Sequence, residues 1–213
     1  MIANKTCLIS TAYFPPIQLA GKFLSYDAIF IEKEENYLKQ SYRNRCCILS
    51  ANGVQILSIP VKKLETIKTK IKDIRIDYEY DSWIKIHIKS IESAYGHSPY
   101  FEYYFDDIKN IILKRTDFLY DLNLMTIELM ISWIHSDAKL FHTTDFENST
   151  DIADFRYKIH PKKRFNKKDD NFRPMSYNQV FSDRFSFIPN LSIIDLIFNE
   201  GPNAYQIIKE SVV

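Results

Sequence analysis

The chain has 213 residues, of which 46% are hydrophobic and 26% are charged, so it can bury a substantial core and is not a disordered chain. Its 28 basic and 27 acidic residues leave a net charge of +1, which argues against a protein that binds duplex nucleic acid through a basic surface. Four glycines are too few for glycine-rich phosphate-binding loops, and no GxGxxG or Walker-type pattern occurs.

The first part of the chain predicts a βαβ-like opening. Residues 6–12 are predicted to form a short buried strand, which ends at Pro15 and Pro16 because proline lacks an amide donor and restricts the preceding residue. Residues 17–26 have the apolar spacing of a helix, and residues 27–33 are predicted to form a second strand.

An antiparallel hairpin is predicted next. Residues 42–49 and 54–61 are apolar runs on either side of a segment that contains Asn52 and Gly53. An Asn-Gly pair between apolar runs is a strong hairpin signal, because both residues tolerate positive φ. The β-sheet is therefore expected to be mixed.

The pattern becomes helical after two shorter segments. The lysine-rich segment 62–72 is predicted to be a solvated loop, with an anion-binding flap as the alternative, and residues 73–78 alternate like an edge strand. Asp81 or Ser82 is expected to cap the helix that follows. The remaining predicted elements are helices over 82–95, 100–113 and 115–135, a strand within 138–146, a mobile charged loop over 160–174, and short helices over 192–198 and 203–211.

These elements predict a single α/β domain over residues 1–213. Its mixed β-sheet combines the βαβ-like start with the antiparallel hairpin, and several α-helices flank it. No internal repeat and no linker composition divides the chain.

Cysteine content and hydropathy indicate the compartment. The three cysteines, Cys7, Cys46 and Cys47, match neither a disulfide framework nor a zinc-binding spacing. No stretch approaches the roughly 18 consecutive apolar residues of a membrane span, and the amino-terminal residues lack the apolar run of a signal peptide. We therefore expect a soluble, cytoplasmic protein without a structural metal.

Three segments carry a recognisable pattern of residues. The first contains AYFPPIQ at 12–18 and ENYLKQSYRNRC at 35–46, and the second spans 83–95 and continues with SPYFEYY at 98–104. The third contains YNQVF at 177–181 and FIPNLSIIDLIFNEGP at 187–202. Together, and in this order, they resemble the WbqC-like protein family over almost the whole chain.

The resemblance implies a role in bacterial surface-polysaccharide (O-antigen) biosynthesis. The implied reaction is transfer of an aminoacyl group, such as glycyl, or of another acyl group to the amino group of a nucleotide-linked deoxy amino sugar of the dTDP or UDP type. The acyl donor stays open among an aminoacyl-tRNA, an acyl adenylate and acyl-CoA. No other cofactor is implied, and a homodimer is among the assemblies that we consider.

Two arginines are candidates for binding the diphosphate of such a substrate. Arg43, Asn44 and Arg45 fall on the predicted strand 42–49, where alternation places the two arginines on one face. Neighbouring guanidinium groups can clamp a diphosphate through bidentate hydrogen bonds. The alternative is that both arginines pair with the acidic residues of segment 32–35.

His87, Cys46 and Asp195 are the candidate catalytic residues. A Cys46 thiolate, activated by the neighbouring arginines and by His87, would provide a thioester route for acyl transfer. His87 could instead act alone as a general base toward the sugar amine. Asp195 is expected to orient His87 or to accept a hydrogen bond from a sugar hydroxyl. The alternative for all three is a structural role in the core.

Further residues are expected to orient the substrate. Tyr13 and Gln18 follow the first strand, where open α/β sheets bind ligands. Asn190 is the expected N-cap of a helix whose first amides can bind an anion. The substrate-binding set is completed by Ser192 at the same helix start, Glu200 at the following turn and Tyr95 among the aromatic residues.

Two other functions compete with the transferase. The chain could be a non-catalytic module that binds a nucleotide sugar for partner enzymes of the pathway. Its opening is also similar to that of nucleotidyltransferases of the HxGH type, although the sequence QLAG at 18–21 stands in place of that signature. A repurposed fold of this kind rests on fold-level analogy alone.

Overall fold

The computed structural model describes residues 5–64, 66, 68–79, 82–146, 152–162 and 168–213. Asp81, one of the two predicted caps, and parts of the segments 62–72 and 160–174 lie outside the described residues. The elements are β1 (Thr6–Ser10), α1 (Ile17–Ser25), β2 (Ala28–Glu32), β3 (Arg45–Ser50), β4 (Gly53–Ser58), α2 (Ser82–Tyr95), α3 (Phe101–Leu113), α4 (Leu119–Trp133), β5 (Lys139–His142), β6 (Ala153–Asp154), α5 (Ile193–Glu200) and α6 (Ala204–Ser211).

A four-stranded parallel sheet has the strand order β5-β2-β1-β6. The predicted βαβ opening is confirmed, because α1 connects β1 to the parallel strand β2. The chain adds β2 and then β5 on one side of β1, whereas β6 lies on the other side, so the strand order reverses at β1. The strands end at Ser10, Glu32, His142 and Asp154 along what we call the carboxyl edge. Reversal points of this kind are where open α/β sheets bind ligands.

The predicted hairpin is also confirmed, and it forms a separate two-stranded sheet. Gly53 has the positive φ that its turn requires, at 97°, whereas Asn52 does not. The prediction that this strand begins at residue 42 is wrong, since β3 begins at Arg45. The backbone amide of Asn44 donates to the Ser41 carbonyl oxygen at 3.3 Å, so residues 41–44 form a turn and not part of the ladder.

The edge strand predicted over residues 73–78 is wrong as well. A 3₁₀ turn occupies Ile71–Asp73, and the segment then makes two single bridges, from Ile76 to Val61 and from Arg75 to Phe118. The backbone therefore alternates between two different partners, which prevents a continuous ladder from forming.

One hydrophobic core joins the sheet, the hairpin and the helices. The helices α2, α3 and α4 follow the predicted ranges closely, because each has apolar residues at helical spacing on the face that it buries. The α/β class with a parallel βαβ start and an antiparallel hairpin is thus confirmed. Among the described residues, no helix combines the length and the apolar character that a membrane span requires.

Candidate functional site

His87 lies in the core on the buried face of α2. Its side chain is 2% exposed. Its Nδ1 lies 3.0 Å from the Tyr13 hydroxyl, and its Nε2 lies 3.2 Å from the Ser58 carbonyl oxygen. The carbonyl can only accept, so Nε2 carries the hydrogen and Nδ1 accepts from Tyr13. Burial lowers the pKa of His87 to about 4, which keeps the imidazole neutral at pH 7.

Cys46 and Tyr13 are completely buried in the same part of the core. Burial raises the pKa of the Cys46 thiol well above its usual range, and the neighbouring Cys47 adds to the shift. A thiol in such surroundings stays protonated and packs as a small apolar group. The geometry therefore favours the structural alternative for Cys46 over the thioester route.

Asp195 is bound to partners other than the one expected. Its carboxylate accepts from the hydroxyls of Tyr177 at 2.6 Å and Tyr95 at 2.7 Å, and from Gln179 Nε2 at 3.2 Å. Burial raises the pKa of Asp195, and these three hydrogen bonds oppose the shift. Asp195 was expected to orient His87, but the side chain that contacts His87 Nδ1 is Tyr13. Asp195 instead ties the carboxyl-terminal motif to α2.

Arg43 lies at the carboxyl edge of the parallel sheet. Its Nε donates to Glu35 Oε1 at 2.8 Å, and its Nη2 donates to Glu35 Oε2 and to Ser10 Oγ, both at 2.5 Å. The Arg43 side chain is 3% exposed, and Asn123 Nδ2 donates to the Arg43 carbonyl oxygen at 2.7 Å. Arg43 therefore pairs with the acidic segment 32–35, which was the alternative to a diphosphate clamp. The two oxygens of Glu35 accept from Nε and Nη2, so this side of the guanidinium is occupied.

Arg156 is a second buried arginine at the same edge. Its Nη1 donates to Glu32 Oε2 at 2.9 Å, and its Nη2 donates to Asp154 Oδ2 at 2.8 Å. The other oxygen of Glu32 accepts from Thr143 Oγ1 at 2.6 Å. The two arginines meet through Ser10, whose hydroxyl donates to the Arg156 carbonyl oxygen at 3.0 Å. We call Ser10, Glu32, Glu35, Arg43, Asp154 and Arg156 the carboxyl-edge cluster.

The lysine-rich segment docks beside this cluster through Glu34. The carboxylate of Glu34 accepts from Lys70 Nζ at 2.6 Å and from Lys72 Nζ at 2.7 Å. These two hydrogen bonds lower the pKa of Glu34. The Ile71 amide also donates to the Glu35 carbonyl oxygen at 2.9 Å. The segment is therefore anchored at the carboxyl edge, and its lysines, 47% and 39% exposed, form a rim there.

Arg45 and Asn44 differ from Arg43 in their surroundings. Arg45 is half-buried, and its Nε has no hydrogen-bond partner among the described residues. The buried Oδ1 of Asn44 likewise lacks a described partner. Burial raises the pKa of Tyr37 to about 12, and the charges of Arg45 and Arg43 both oppose this shift. The two arginines are thus neighbours around Tyr37, although they do not share a strand.

Asn190 caps a different helix from the one predicted. Its Oδ1 accepts from the Gln18 amide at 2.8 Å, at the start of α1, and its Nδ2 donates to Gln18 Oε1 at 3.1 Å. The N-cap of α5 is Ser192, whose hydroxyl accepts from the Ile194 amide. Asn190 has a left-handed φ of 57° in the turn that precedes Ser192, and it lies two residues too early to cap α5. Gln18 and Asn190 line a cavity of about 570 Å³ next to Asp169.

Glu200 closes α5 and is not part of the carboxyl-edge cluster. It is half-buried, and its Oε2 accepts from Asn203 Nδ2 at 2.9 Å within the same turn. The candidate residues therefore occupy separate places. Arg43, Asn44 and Arg45 adjoin the carboxyl edge, Tyr13 and Cys46 lie with His87 in the core, Tyr95 binds Asp195, and Gln18 binds Asn190.

Several residues of the carboxyl edge were missed by the sequence analysis. The acidic run 32–35 was considered only as a partner of the arginines, although its start at the end of the strand β2 could have indicated Glu32, Glu34 and Glu35 as site residues. Arg156 follows β6, which is two residues long and gives no alternating pattern. His142 ends β5, and it was overlooked because it lies within a polar segment without metal-ligand spacing.

Comparisons with known proteins identify the family of this chain. The model of the WbqC-like protein family matches residues 11–162 and 157–207. Rv1507c, an uncharacterized protein of Mycobacterium tuberculosis, is 25% identical over 214 residues, which covers 90% of this chain and 89% of the relative. No solved structure gives a significant match, so the analogy with HxGH nucleotidyltransferases stays a prediction. The carboxyl-edge residues 32–45 and 154–156 and the carboxyl-terminal motif all fall within the matched ranges, and the chain belongs to the WbqC-like protein family.

Proposed function

We propose that this protein is a transferase of surface-polysaccharide biosynthesis that attaches an aminoacyl or other acyl group to the amino group of a nucleotide-linked deoxy amino sugar. The observation that supports it best is the carboxyl-edge cluster, which places buried carboxylates and arginines where the strand order reverses. Parallel sheets bind nucleotide-containing ligands at such points. The reaction class itself comes from the family resemblance.

The diphosphate would bind Arg45 and not Arg43. Nε and Nη2 of Arg43 are engaged by Glu35 and Ser10, whereas the half-buried Arg45 has a buried guanidinium Nε without a described partner. The side chains of Lys70 and Lys72, which share the single carboxylate of Glu34, add positive charge at the rim of the same edge. A guanidinium can bind two phosphate oxygens at once, which makes Arg45 the better anchor.

The amino group of the sugar would lie toward the acidic side of the edge. Asp154 is 35% exposed beside Arg156, and Glu34 lies below the two lysines. The attraction between a carboxylate and an ammonium group is several times stronger in a partly dry site than in water. The edge thus offers cations for phosphates and carboxylates for an amine.

A thermal-shift screen tests the proposal. The probes are dTDP-, UDP- and GDP-linked sugars, with and without an amino group, together with coenzyme A and ATP. A ligand that binds only the native state stabilises it by about 2.7 kcal/mol at one hundred times its Kd. We expect a selective rise in Tm with an amino-sugar nucleotide and its loss in Arg45→Met, with Arg75→Met as the exposed control. The absence of a shift with every nucleotide sugar would contradict the proposal.

A binding module without catalysis is the second candidate. It is favoured by the burial of His87, Cys46 and Asp195, each of which packs or hydrogen-bonds inside the core. Incubation of the bound sugar with aminoacyl-tRNA, acyl adenylates and acyl-CoA distinguishes the two functions. An acylated sugar detected by mass spectrometry supports the transferase, and binding without conversion by any of these donors supports the module.

A further inference from the structure

The five histidines of the chain lie in different surroundings, and one of them adjoins the carboxyl edge in an exposed position. His87 is buried with both ring nitrogens engaged, and His160 is buried with its Nδ1 accepting from the Lys162 amide. His97 and His135 are exposed, but they follow the carboxyl-terminal ends of α2 and α4. His142 is exposed and is the last residue of β5, beside the end of β2.

A tyrosine holds one ring nitrogen of His142. The hydroxyl of Tyr120, in the first turn of α4, lies 2.8 Å from His142 Nδ1, and the two rings meet edge to face. Tyr120 is 7% exposed, so its own position is fixed by its packing in the hydrophobic core. Burial raises the pKa of Tyr120, and the neighbouring carboxylates, Asp121 first, add to the shift. The phenol therefore stays protonated.

The neighbouring residue joins His142 to the carboxyl-edge cluster. Thr143 donates its hydroxyl to Glu32 and accepts from the Lys33 amide at 3.2 Å. Its amide donates to the Ile31 carbonyl oxygen at 3.1 Å. These hydrogen bonds of Thr143 to the end of β2 fix the backbone directly after His142. With Nδ1 at Tyr120, the nitrogen that an exposed ring leaves for a ligand is Nε2.

We propose that His142 is the acid–base residue of the carboxyl edge, and that Tyr120 is a positioning residue that holds it in the tautomer with hydrogen on Nδ1 and a lone pair on Nε2. The amine substrate of His142 in this assignment rests on the proposed function. The geometry of His142 and Tyr120 does not. Nδ1–H donates to the Tyr120 oxygen in this tautomer, and the same hydrogen bond persists when Nε2 takes up a proton.

The proton balance of the transfer step follows from this arrangement. The sugar ammonium first loses one proton through His142 Nε2 to water. The lone pair of the neutral amine then forms the new C–N bond with the carbonyl carbon of an activated acyl ester, anhydride or thioester, and the nitrogen gives its second proton to His142 Nε2. The bond from that carbon to the leaving oxygen or sulfur breaks, and its electron pair stays with the leaving atom. His142 then returns the proton to the leaving atom when that atom needs one.

Nuclear magnetic resonance of ¹⁵N-labelled histidine tests the tautomer without any substrate. Long-range ¹H–¹⁵N correlations distinguish the two neutral tautomers, and the signals that disappear in His142→Gln identify His142. We expect the Nδ1–H tautomer in the wild-type protein and a mixture of tautomers in Tyr120→Phe. A dominant Nε2–H tautomer would overturn the assignment, because Nε2 would then lack the lone pair that a base requires.

Turnover gives the second measurement, with the amino-sugar nucleotide found by thermal shift and the donor found by mass spectrometry. We expect His142→Gln to lower kcat about 10²- to 10⁴-fold while the Kd of the sugar changes less than about twofold. Tyr120→Phe should lower kcat by less with its KM unchanged, and His97→Gln should behave like the wild type. Wild-type turnover in His142→Gln overturns the inference and leaves the proposed function intact. If no nucleotide sugar binds, the proposed function fails, and the tautomer alone decides the assignment of His142.

Discussion

At the scale of single residues, burial gives two histidines of this chain opposite surroundings. His87 is enclosed by α2, Tyr13 and the Ser58 carbonyl, and its imidazole is neutral because a buried charge would lose its hydration. His142 has the opposite surroundings, because its ring is exposed and its Nδ1 shares a hydrogen bond with the Tyr120 hydroxyl. The two residues show that a histidine cannot be assigned a role from its neighbours in sequence.

The lowered pKa of His87 makes stability depend on pH. The folded-state pKa of about 4 lies below the unfolded value of 6.5, so the unfolded chain binds a proton first as the pH falls. Stability should therefore be lost between pH 6.5 and pH 4, by up to about 3 kcal/mol from this residue. Urea unfolding across this range should show a shallower loss in His87→Gln than in the wild type. The prediction would be contradicted if the slope of the unfolding free energy against pH were the same in His87→Gln and the wild type. It would also be contradicted if the exposed control His97→Gln changed that slope equally.

At the scale of elements, α1 depends on a residue far away in sequence. Pro16 precedes the helix and supplies no side-chain cap, so the Gln18 amide is satisfied by Asn190 Oδ1 and the Ile17 amide by the Leu191 carbonyl oxygen. The beginning of α1 is thus completed by the motif that begins α5. The turn at Asn190 and Leu191 thus fixes the start of α1 and leads directly into the start of α5.

Substitution of Asn190 should weaken this junction in steps. Asn190→Gly removes the side-chain hydrogen bonds to Gln18 but accepts the left-handed φ, and we expect a loss of about 1 kcal/mol. Asn190→Ala loses the same hydrogen bonds but keeps a Cβ in the left-handed region, where glycine has none, so it should be less stable than the glycine variant by about 1 kcal/mol. Chemical denaturation measures both losses, and Asn203→Ala, which removes only an exposed contact with Glu200, is the control. Equal stability of the alanine and glycine variants would contradict this account.

Much of the element pattern could be predicted because it is local. The βαβ opening, the hairpin at Asn52 and Gly53, and α2 to α4 each follow from periodicity or turn chemistry within a few residues. The two residues of β6, the cap at Asn190 and the pairing of Arg156 with Glu32 depend on contacts between distant segments. The carboxyl-edge cluster was therefore only partly visible in the sequence, as an acidic run and two nearby arginines.

At the scale of the whole molecule, a buried ion pair holds the carboxyl-terminal segment 168–213 against α1. Lys22 Nζ lies 2.5 Å from Asp169 Oδ2, with the side chains only 2% and 5% exposed, and it also lies over the Phe155 ring at 4.3 Å. Gln18 Nε2 donates to the same oxygen of Asp169 at 3.0 Å. The residues from 168 onward are thus held against the first helix.

Removal of one partner of this pair should destabilise the whole protein. Asp169→Ala leaves the Lys22 ammonium buried without its counter-charge, which typically costs about 3–5 kcal/mol. The double variant Lys22→Met with Asp169→Ala should recover part of that loss, because no unpaired charge remains. Asp170→Ala is the matched control, since its pair with Lys168 is exposed. A loss in Asp169→Ala as small as that of Asp170→Ala, measured by chemical denaturation, would contradict the prediction.

The parallel sheet also sets an order in which the chain acquires its structure during synthesis. Glu32 obtains its buried partner from Arg156, which lies 124 positions later. At about 5–20 residues per second, a ribosome needs about 6–25 s to make that stretch, and Glu32 remains hydrated in the meantime. The βαβ opening, although it is made first, can therefore close its polar edge only when most of the nascent chain has emerged.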